Sequence, residues 1–340
     1  MKNLSALILT VLFCNALYSQ NDSIETKREV VIYSFFYNIV PDGFQFPLIG
    51  FVNVAKGNHQ GFEMGFVNNT LKNFKGAQIG FVNTTLQEVS GFQMGFVNTT
   101  LQELSGFQMG FVNTTFKELN GFQAGFVNST FKGLDGFQLG FVNTSREEAN
   151  GFQMGFVNTA GKGIKGNQIG FVNYADTITG GIPIGIVSIV KKGGYRAVEI
   201  SVNEFYPVNV SFKIGVPKLY SFFQGSYNSA FKDNFALGGG FGSLLAMGES
   251  FYFNPEASIF NPVSNNAHQR FLSLVGNFRY QFLPHFQIAV GPSVTWEYAN
   301  KKYSNKKGDL YDPIYSIVNQ KIDDRNRLVV GARAALSVDF

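Results

Sequence analysis

Gly-Phe-Val-Asn begins at Gly50 and returns at Gly65, Gly80, Gly95, Gly110, Gly125, Gly140, Gly155 and Gly170, with a degraded Gly-Ile-Val-Ser at Gly185. The spacing is 15 residues throughout, so the ten copies carry no insertion. A second Gly stands four residues before most copies, from Gly61 to Gly181, and a typical unit runs from Gly91-Phe92-Gln93-Met94-Gly95-Phe96-Val97-Asn98 to Ser105. Repetition at one fixed period dictates the architecture, because each unit has only copies of itself to pack against.

Within the unit, Phe92, Met94 and Phe96 alternate with Gly91, Gln93 and Gly95, the period of two expected of a strand with one apolar face. The second half differs. Leu101 and Leu104 are three apart, Thr100 and Glu103 match a helix capping box, and Gly106 follows as a stop, so this half predicts one helical turn. The same box recurs at Thr85/Glu88, Thr115/Glu118 and Ser145/Glu148.

Two architectures use such a unit. In a parallel β-solenoid each unit is one coil, and stacking lines up Phe on Phe and Asn on Asn, so each Asn satisfies its neighbour's amide along a ladder. In an antiparallel meander, alternate units meet different surroundings, which gives no reason for strict identity. A membrane-spanning strand also needs about 9–11 residues of alternation, and here the apolar parity fails after Phe96, at Asn98 and Thr100. The solenoid is therefore the expectation, driven by Phe burial worth roughly 1.5–3 kcal/mol per ring. The segment from Val30 to Val40, apolar on both faces, is expected to cap the first coil.

Of the 340 residues 16% are aromatic, with 38 Gly and 38 Phe, a composition that favours strands. The net charge of +4 is spread thinly, with no block of like charge, and gives no sign of a nucleic-acid partner. Met1-Lys2-Asn3, the apolar run Leu4 to Leu17, and small residues at Ala16 and Ser19 read as a secretory signal over residues 1–19. The single cysteine, Cys14, falls inside it, after a Phe13 that fits a lipoprotein cleavage site poorly, so a mature chain has neither disulfide nor thiol chemistry. No stretch is long and apolar enough for a transmembrane helix, so entry into a membrane requires a closed barrel. The organisation expected is a signal over 1–19, an N-terminal strand or cap over 20–42, the repeat domain over 43–192 and an antiparallel barrel over 193–340.

After Gly193-Gly194 the pattern changes. Val208, Val210, Phe212, Ile214 and Val216 alternate with polar residues, and so do Leu272 to Phe282, Phe286 to Tyr298, and Leu328 to Phe340. Eight strands are expected, near 195–205, 207–216, 218–228, 234–247, 250–260, 270–283, 285–299 and 326–340, an even number that a barrel permits. Pro217-Lys218, Gly248-Glu249 and Leu283-Pro284 read as tight turns, whereas 229–233, 261–269 and 300–325 are longer. In outer-membrane barrels short turns are periplasmic and long loops extracellular. A soluble sandwich, and a single large barrel that includes the repeats, are the competing readings.

The terminal Phe340 on an alternating last strand resembles the insertion signal of bacterial outer-membrane barrels, which implies outer-membrane lipid and the barrel-assembly machinery as partners. The Gly-Phe-Gln-x-Gly-Phe-Val-Asn units, over roughly 43–192, resemble the surface-repeat proteins of spirochaetes and Bacteroidota, and imply surface or outer-membrane placement rather than an activity. The strand count puts the repeats on the periplasmic side, whereas this resemblance implies the outside.

Chemistry is sparse. His59, His268 and His285 have neither metal-ligand spacing nor a nucleophile motif, and His268 and His285 read as solvated turn residues. Gly161-Lys162-Gly163 lacks the spacing and the Ser or Thr of a phosphate loop. Gly238-Gly239-Gly240 falls within a strand, where it eases curvature or lumen packing. Asn68, Asn83, Asn98, Asn113, Asn128 and Asn143 open glycosylation sequons, yet ladder Asn and capping Thr explain them better, and an ice-binding face needs Thr-x-Thr. Lys213, Glu256, Arg279, Glu297 and Arg333 are expected on the lumen side, where a narrow barrel favours mutual ion pairing over a solute or proton path. No catalytic, cofactor-binding or metal-binding residue is assigned. The expectation is a non-enzymatic outer-membrane protein whose barrel anchors a repeat domain serving as scaffold or adhesive surface. A channel or transport component is second and an outer-membrane hydrolase third.

Overall fold

The computed structural model describes residues 31–231, 233–263, 269–299 and 310–340. The expected signal peptide, Cys14, residues 20–30 of the expected cap and His268 lie outside these residues. All regular structure is β: one parallel sheet holds the repeats, and a second, antiparallel sheet closes into a barrel. The repeats and the barrel are separate sheets, so neither the meander nor the single large barrel describes the chain.

Every coil pairs in parallel with the next at a register of 15 residues, so Gln108 lies beside Gln123 and Asn113 beside Asn128. Identical side chains therefore stack along the axis. In the coil of residues 91–105 the inward positions are Gln93, Asn98, Thr100 and Leu104, all fully buried. From Asn53 to Asn173 each ladder Asn Nδ2 spends both hydrogens: Asn98 donates to Asn113 Oδ1 at 2.8 Å and to Met109 O at 2.9 Å. The ladder runs from Asn38 to Asn173 and ends on the Ser188 hydroxyl at 3.3 Å. A second ladder donates in the opposite sense, Gln108 Nε2 to Gln93 Oε1 at 2.7 Å and Gln93 to Gln78 at 2.6 Å. Glu63 terminates it as a pure acceptor, taking Gln78 Nε2 at 2.7 Å and Thr70 Oγ1 at 2.9 Å, with His59 Nδ1 at 2.7 Å.

Two expectations about the unit change. The Phe and Met face points outward: Phe96 is 46% and Met94 38% exposed, while Gln93 beside Met94 is buried. A 15-residue coil closes on too small an interior for three large side chains, and self-pairing amides fill it instead. The Phe rings stack outside, Phe96 on Phe111 at 5.0 Å and Phe111 on Phe126 at 5.0 Å. The predicted helical turn is also absent; Leu101 and Gln102 form a bend between strands. Their amides reach back one coil, Leu101 N to Thr85 O at 3.0 Å and Gln102 N to Gln87 O at 3.3 Å. Three residues cannot nucleate a helix when the neighbouring coil offers carbonyls at once. Thr100 is no cap: its hydroxyl donates to Gln93 Oε1 at 3.1 Å. Gly110 marks the tight corner, where a Cβ would meet Gly95 O at 2.0 Å and Asn98 Nδ2 at 2.7 Å.

The N-terminal segment is an additional coil. Tyr37–Val40 pairs with Val52–Ala55 at the same register, which makes Phe36-Tyr37-Asn38 a degenerate Phe-Val-Asn. Ile32 then bridges antiparallel to Ile39 and folds the chain back over that edge.

The barrel strands are Tyr195–Val202, Val208–Val216, Leu219–Tyr227, Phe235–Gly242, Phe251–Pro262, Gln269–Leu283, Phe286–Ala299 and Asn326–Asp339. All eight expected strands are present, and the last pairs with the first from Ala197↔Asp339 to Val202↔Ala334, which closes the cylinder. Alternation predicts a first strand that reaches 205; instead, residues 203–207 leave the wall and enter the lumen. The short strand Val318–Lys321 pairs with the start of the last strand above this seam.

The solenoid ends against the outside of the barrel at its tight-turn end. Val216 joins the apolar core of the last coils with Val190, and Ser221 Oγ donates to Ile186 O at 2.6 Å. Ile214, Val216 and Ser221 face outward by strand parity yet are buried by this contact.

Asn113→Ala removes one ladder rung and leaves the Asn98 amide, Asn128 Oδ1 and Ala124 O short of partners. Urea unfolding is expected to show a loss of at least about 2 kcal/mol, whereas outward-facing Thr99→Ala stays within about 0.5 kcal/mol. At the N-terminal coils, hydrogen bonds from Lys72 and Asn58 hold the exposed Asp42 carboxyl at about 2, below its ordinary 3.8. A depressed carboxyl stabilises the fold above its unfolded value and loses that effect as pH falls through the folded one. Asp42→Asn is thus expected to flatten the pH dependence of unfolding between about pH 4 and 2, and carboxyl carbon titration gives the midpoint directly.

Candidate functional site

The barrel inverts the polarity of an ordinary globular domain. Alternation puts Val210, Phe212, Leu274, Phe278, Ile288 and Val290 outward and exposed, while Ser211, Lys213, Ser273, Asn277 and Gln287 point inward and are buried. Aromatic residues gather at both rims of the outer face. Phe251 stacks on Tyr280 at 4.7 Å near the tight turns, with Phe282 and Phe286 close by in sequence and Phe340 at the end of the strand that pairs with Phe286–Ala299. At the loop end Tyr227 lies against Phe235 at 5.0 Å, and Trp296 Nε1 donates to Asn326 at 3.1 Å.

Inside, the lumen charges named from the sequence come together around one residue that alternation had not singled out. Glu199, fully buried on the first strand, accepts from Lys213 at 2.8 Å, Arg279 at 2.6 Å and Arg333 at 2.6 Å, and from the Ser337 hydroxyl at 2.9 Å. Glu256 takes Lys213 at 2.5 Å, the Tyr220 hydroxyl at 2.6 Å, and the second branch of Arg333. Glu297 does not join them; its nearest cation is Arg327 at 3.9 Å, closer to the loop end. Glu199 was legible in principle, since Ala197, Glu199 and Ser201 alternate with the outward Val198 and Ile200.

Above this charged layer lies an aromatic one. Phe205 and Tyr206 from the first loop pack with Phe231, Phe260, Phe271 and Val329, and Tyr311 closes over them. Burial pushes the Tyr311 phenol above its ordinary range, and its hydroxyl donates to Asp233 Oδ2 at 2.9 Å. The run Gly238-Gly239-Gly240 makes room for rings in two layers: a Cβ on Gly238 would sit 2.4 Å from Phe260 Cβ, and one on Gly240 would sit 2.8 Å from the Phe222 ring, which packs with Tyr195 and Tyr220.

The remaining expected residues are scattered. His59 is buried in the solenoid against Glu63, its two ring nitrogens facing Glu63 Oε1 and Phe46 O. His285 occupies an exposed turn at a positive φ of 68° and faces Asp339 at 3.1 Å. The sequon asparagines are all consumed in the ladder. Among the described residues no group of three or more His, Cys, Asp or Glu could hold a metal ion. No family model matches the chain, and neither a curated protein nor a solved structure matches it.

Glu199→Gln leaves Lys213, Arg279 and Arg333 facing a single buried carboxylate. The barrel is expected to lose about 3–5 kcal/mol in urea unfolding. Adding Lys213→Met should restore part of that loss, because the two sites share partners.

Proposed function

We propose that the protein is an exported, non-enzymatic outer-membrane protein, in which the barrel is the anchor and the solenoid a scaffold or interaction surface. The observation that carries this reading is the closed eight-stranded wall with an apolar outer belt, aromatic rims and a polar lumen, a distribution that water on the outside would penalise and lipid would stabilise. Strand lengths agree, with Gln269–Leu283 and Phe286–Ala299 long enough to cross a bilayer at a tilt. The export signal read at residues 1–19 and the resemblance of the last strand to an assembly signal support the same placement. On this reading barrel-assembly machinery inserts the chain, and the solenoid attaches on the tight-turn side.

The filled lumen weighs against a channel or transport role. The Glu199–Arg333 layer and the Phe205–Tyr206 layer occupy the cylinder in series, as expected of a barrel this narrow. The test is membrane extraction and mobility of the full chain. Release only by detergent, a heat-modifiable band on electrophoresis, and silence in planar bilayers are the expected results. A species soluble without detergent overturns the anchor, and steady conductance replaces it with a channel.

A further inference from the structure

The outward face of the solenoid is more segregated than packing requires. From Phe51 to Ile186 the positions equivalent to Gly91–Thr100 contain one charged residue, Glu63, and it is fully buried. Every other charge in that span lies at the bend equivalent to Leu101–Glu103 or at the position of Ser105, as with Lys72, Lys117, Glu118, Lys132 and Glu147. One side of the solenoid is thus an uncharged ribbon of stacked Phe rings and a Met, Ile and Leu column. It extends from Phe51 to Phe171 over a length on the order of 40 Å at the strand spacing of a sheet. The bend and the Ser105 position that follows it carry all the exposed charge.

The ribbon also has a defined relation to the barrel. Its column ends at Ile186, which lies in one groove with Phe223, Phe241, Ile259 and Leu272 of the outer wall. These four are members of the apolar belt. The core of the same coil, at Val190, meets the wall nearer the turn, at Val216. The ribbon therefore faces along the wall toward the belt, and the core and charged corner face away from it.

We propose that the Phe/Met ribbon of the solenoid rests in the lipid interface beside the barrel, so that the solenoid lies along the membrane surface with its charged corner toward water. This rests on the membrane placement of the barrel proposed above. Lipid is the occupant that fits, because the ribbon is continuous with the belt. A protein partner seated at Ile186 would have to occupy the space that belongs to the lipid around Phe223 and Leu272. Uncharged aromatic and thioether side chains on one face, with charge on the other, are the features of an element that lies on a membrane rather than across it.

The chain has a single Trp, Trp296, exposed on the outer wall, so fluorescence separates the two claims. The full-length protein is reconstituted in phosphatidylcholine vesicles with brominated or ordinary acyl chains, as wild type, Trp296→Phe/Phe111→Trp and Trp296→Phe/Lys117→Trp. Heat-modifiable mobility checks folding, and Phe141→Trp replaces Phe111→Trp if the first variant fails that check. The expected result is bromine quenching of Trp296 and of the ribbon probe to a comparable extent, with the corner probe unquenched. Quenching of Trp296 without quenching of the ribbon probe overturns the ribbon proposal and leaves the anchor intact, whether the ribbon is then bare or covered by a second copy. Equal quenching of ribbon and corner probes also overturns it. Loss of quenching at Trp296 itself removes the anchor on which it rests.

Discussion

A buried carboxamide brings two N–H donors and a carbonyl acceptor, and leaving any of them unpaired costs about 1–3 kcal/mol. A stack of identical coils removes that cost because each amide meets its own copy one sheet spacing away. In this chain the Asn ladder donates toward the C-terminus and the Gln ladder toward the N-terminus. Opposed directions offset the dipoles of the two columns. They also place the acceptor-only end of the Gln ladder at the first full coil, where Glu63 can fill it. From residue 61 to residue 150 the interior thus holds one apolar side chain per coil, in the column of Leu104, Leu119 and Leu134, with polar groups making up the rest.

Satisfying the interior with amides frees the apolar side chains for the outside. A solenoid held together by Phe would hide its rings; one held together by Asn, Gln and Thr can display them. The stacked rings still contribute, since neighbours at 4.9 to 5.1 Å cover one another on two faces. Their outer edges remain bare. The barrel reaches a similar outcome by a different route: the Glu199 and Glu256 ion pairs and one aromatic layer fill its lumen, and most of its other apolar residues are turned out. Both halves are inside-out relative to a water-soluble domain, and both turn their apolar face to the same side of their junction.

The period of 15 makes the solenoid, its register and the Asn ladder legible in the sequence alone, because register in a stack of copies has only one solution. The eight barrel strands were equally legible, since side-chain parity runs clearly along strands such as Val208–Val216 and Phe286–Ala299. Parity within the repeat was misleading, for a physical reason. Phe92-Gln93-Met94 has a correct alternation, but alternation alone does not say which face is inside, and the volume enclosed by a short coil decides that. The capping box at Thr100/Glu103 failed because its local hydrogen bonds compete with carbonyls one coil away that a sequence window does not contain. Glu199 stood in a readable alternation, but its role as the hub depended on three strands far apart in sequence meeting across the lumen. Phe205 ends the expected first strand and Tyr206 falls in the turn after it, and only closure of the barrel reveals the space they fill.

The junction links these two parts into one orientation. A solenoid ends in unpaired backbone and an open core, and such an end invites another chain to add on. Here the barrel wall covers it: Val216 completes the core beyond Val190, and Ser221 takes the carbonyl of Ile186. Each contact is made by an outward position of a barrel strand, so the cap for the repeats is built from positions that elsewhere on the wall lie exposed. Capping and orientation therefore follow from the same few side chains. The repeat direction, the ribbon and the belt are fixed relative to one another because the last coil has no other surface on which to end.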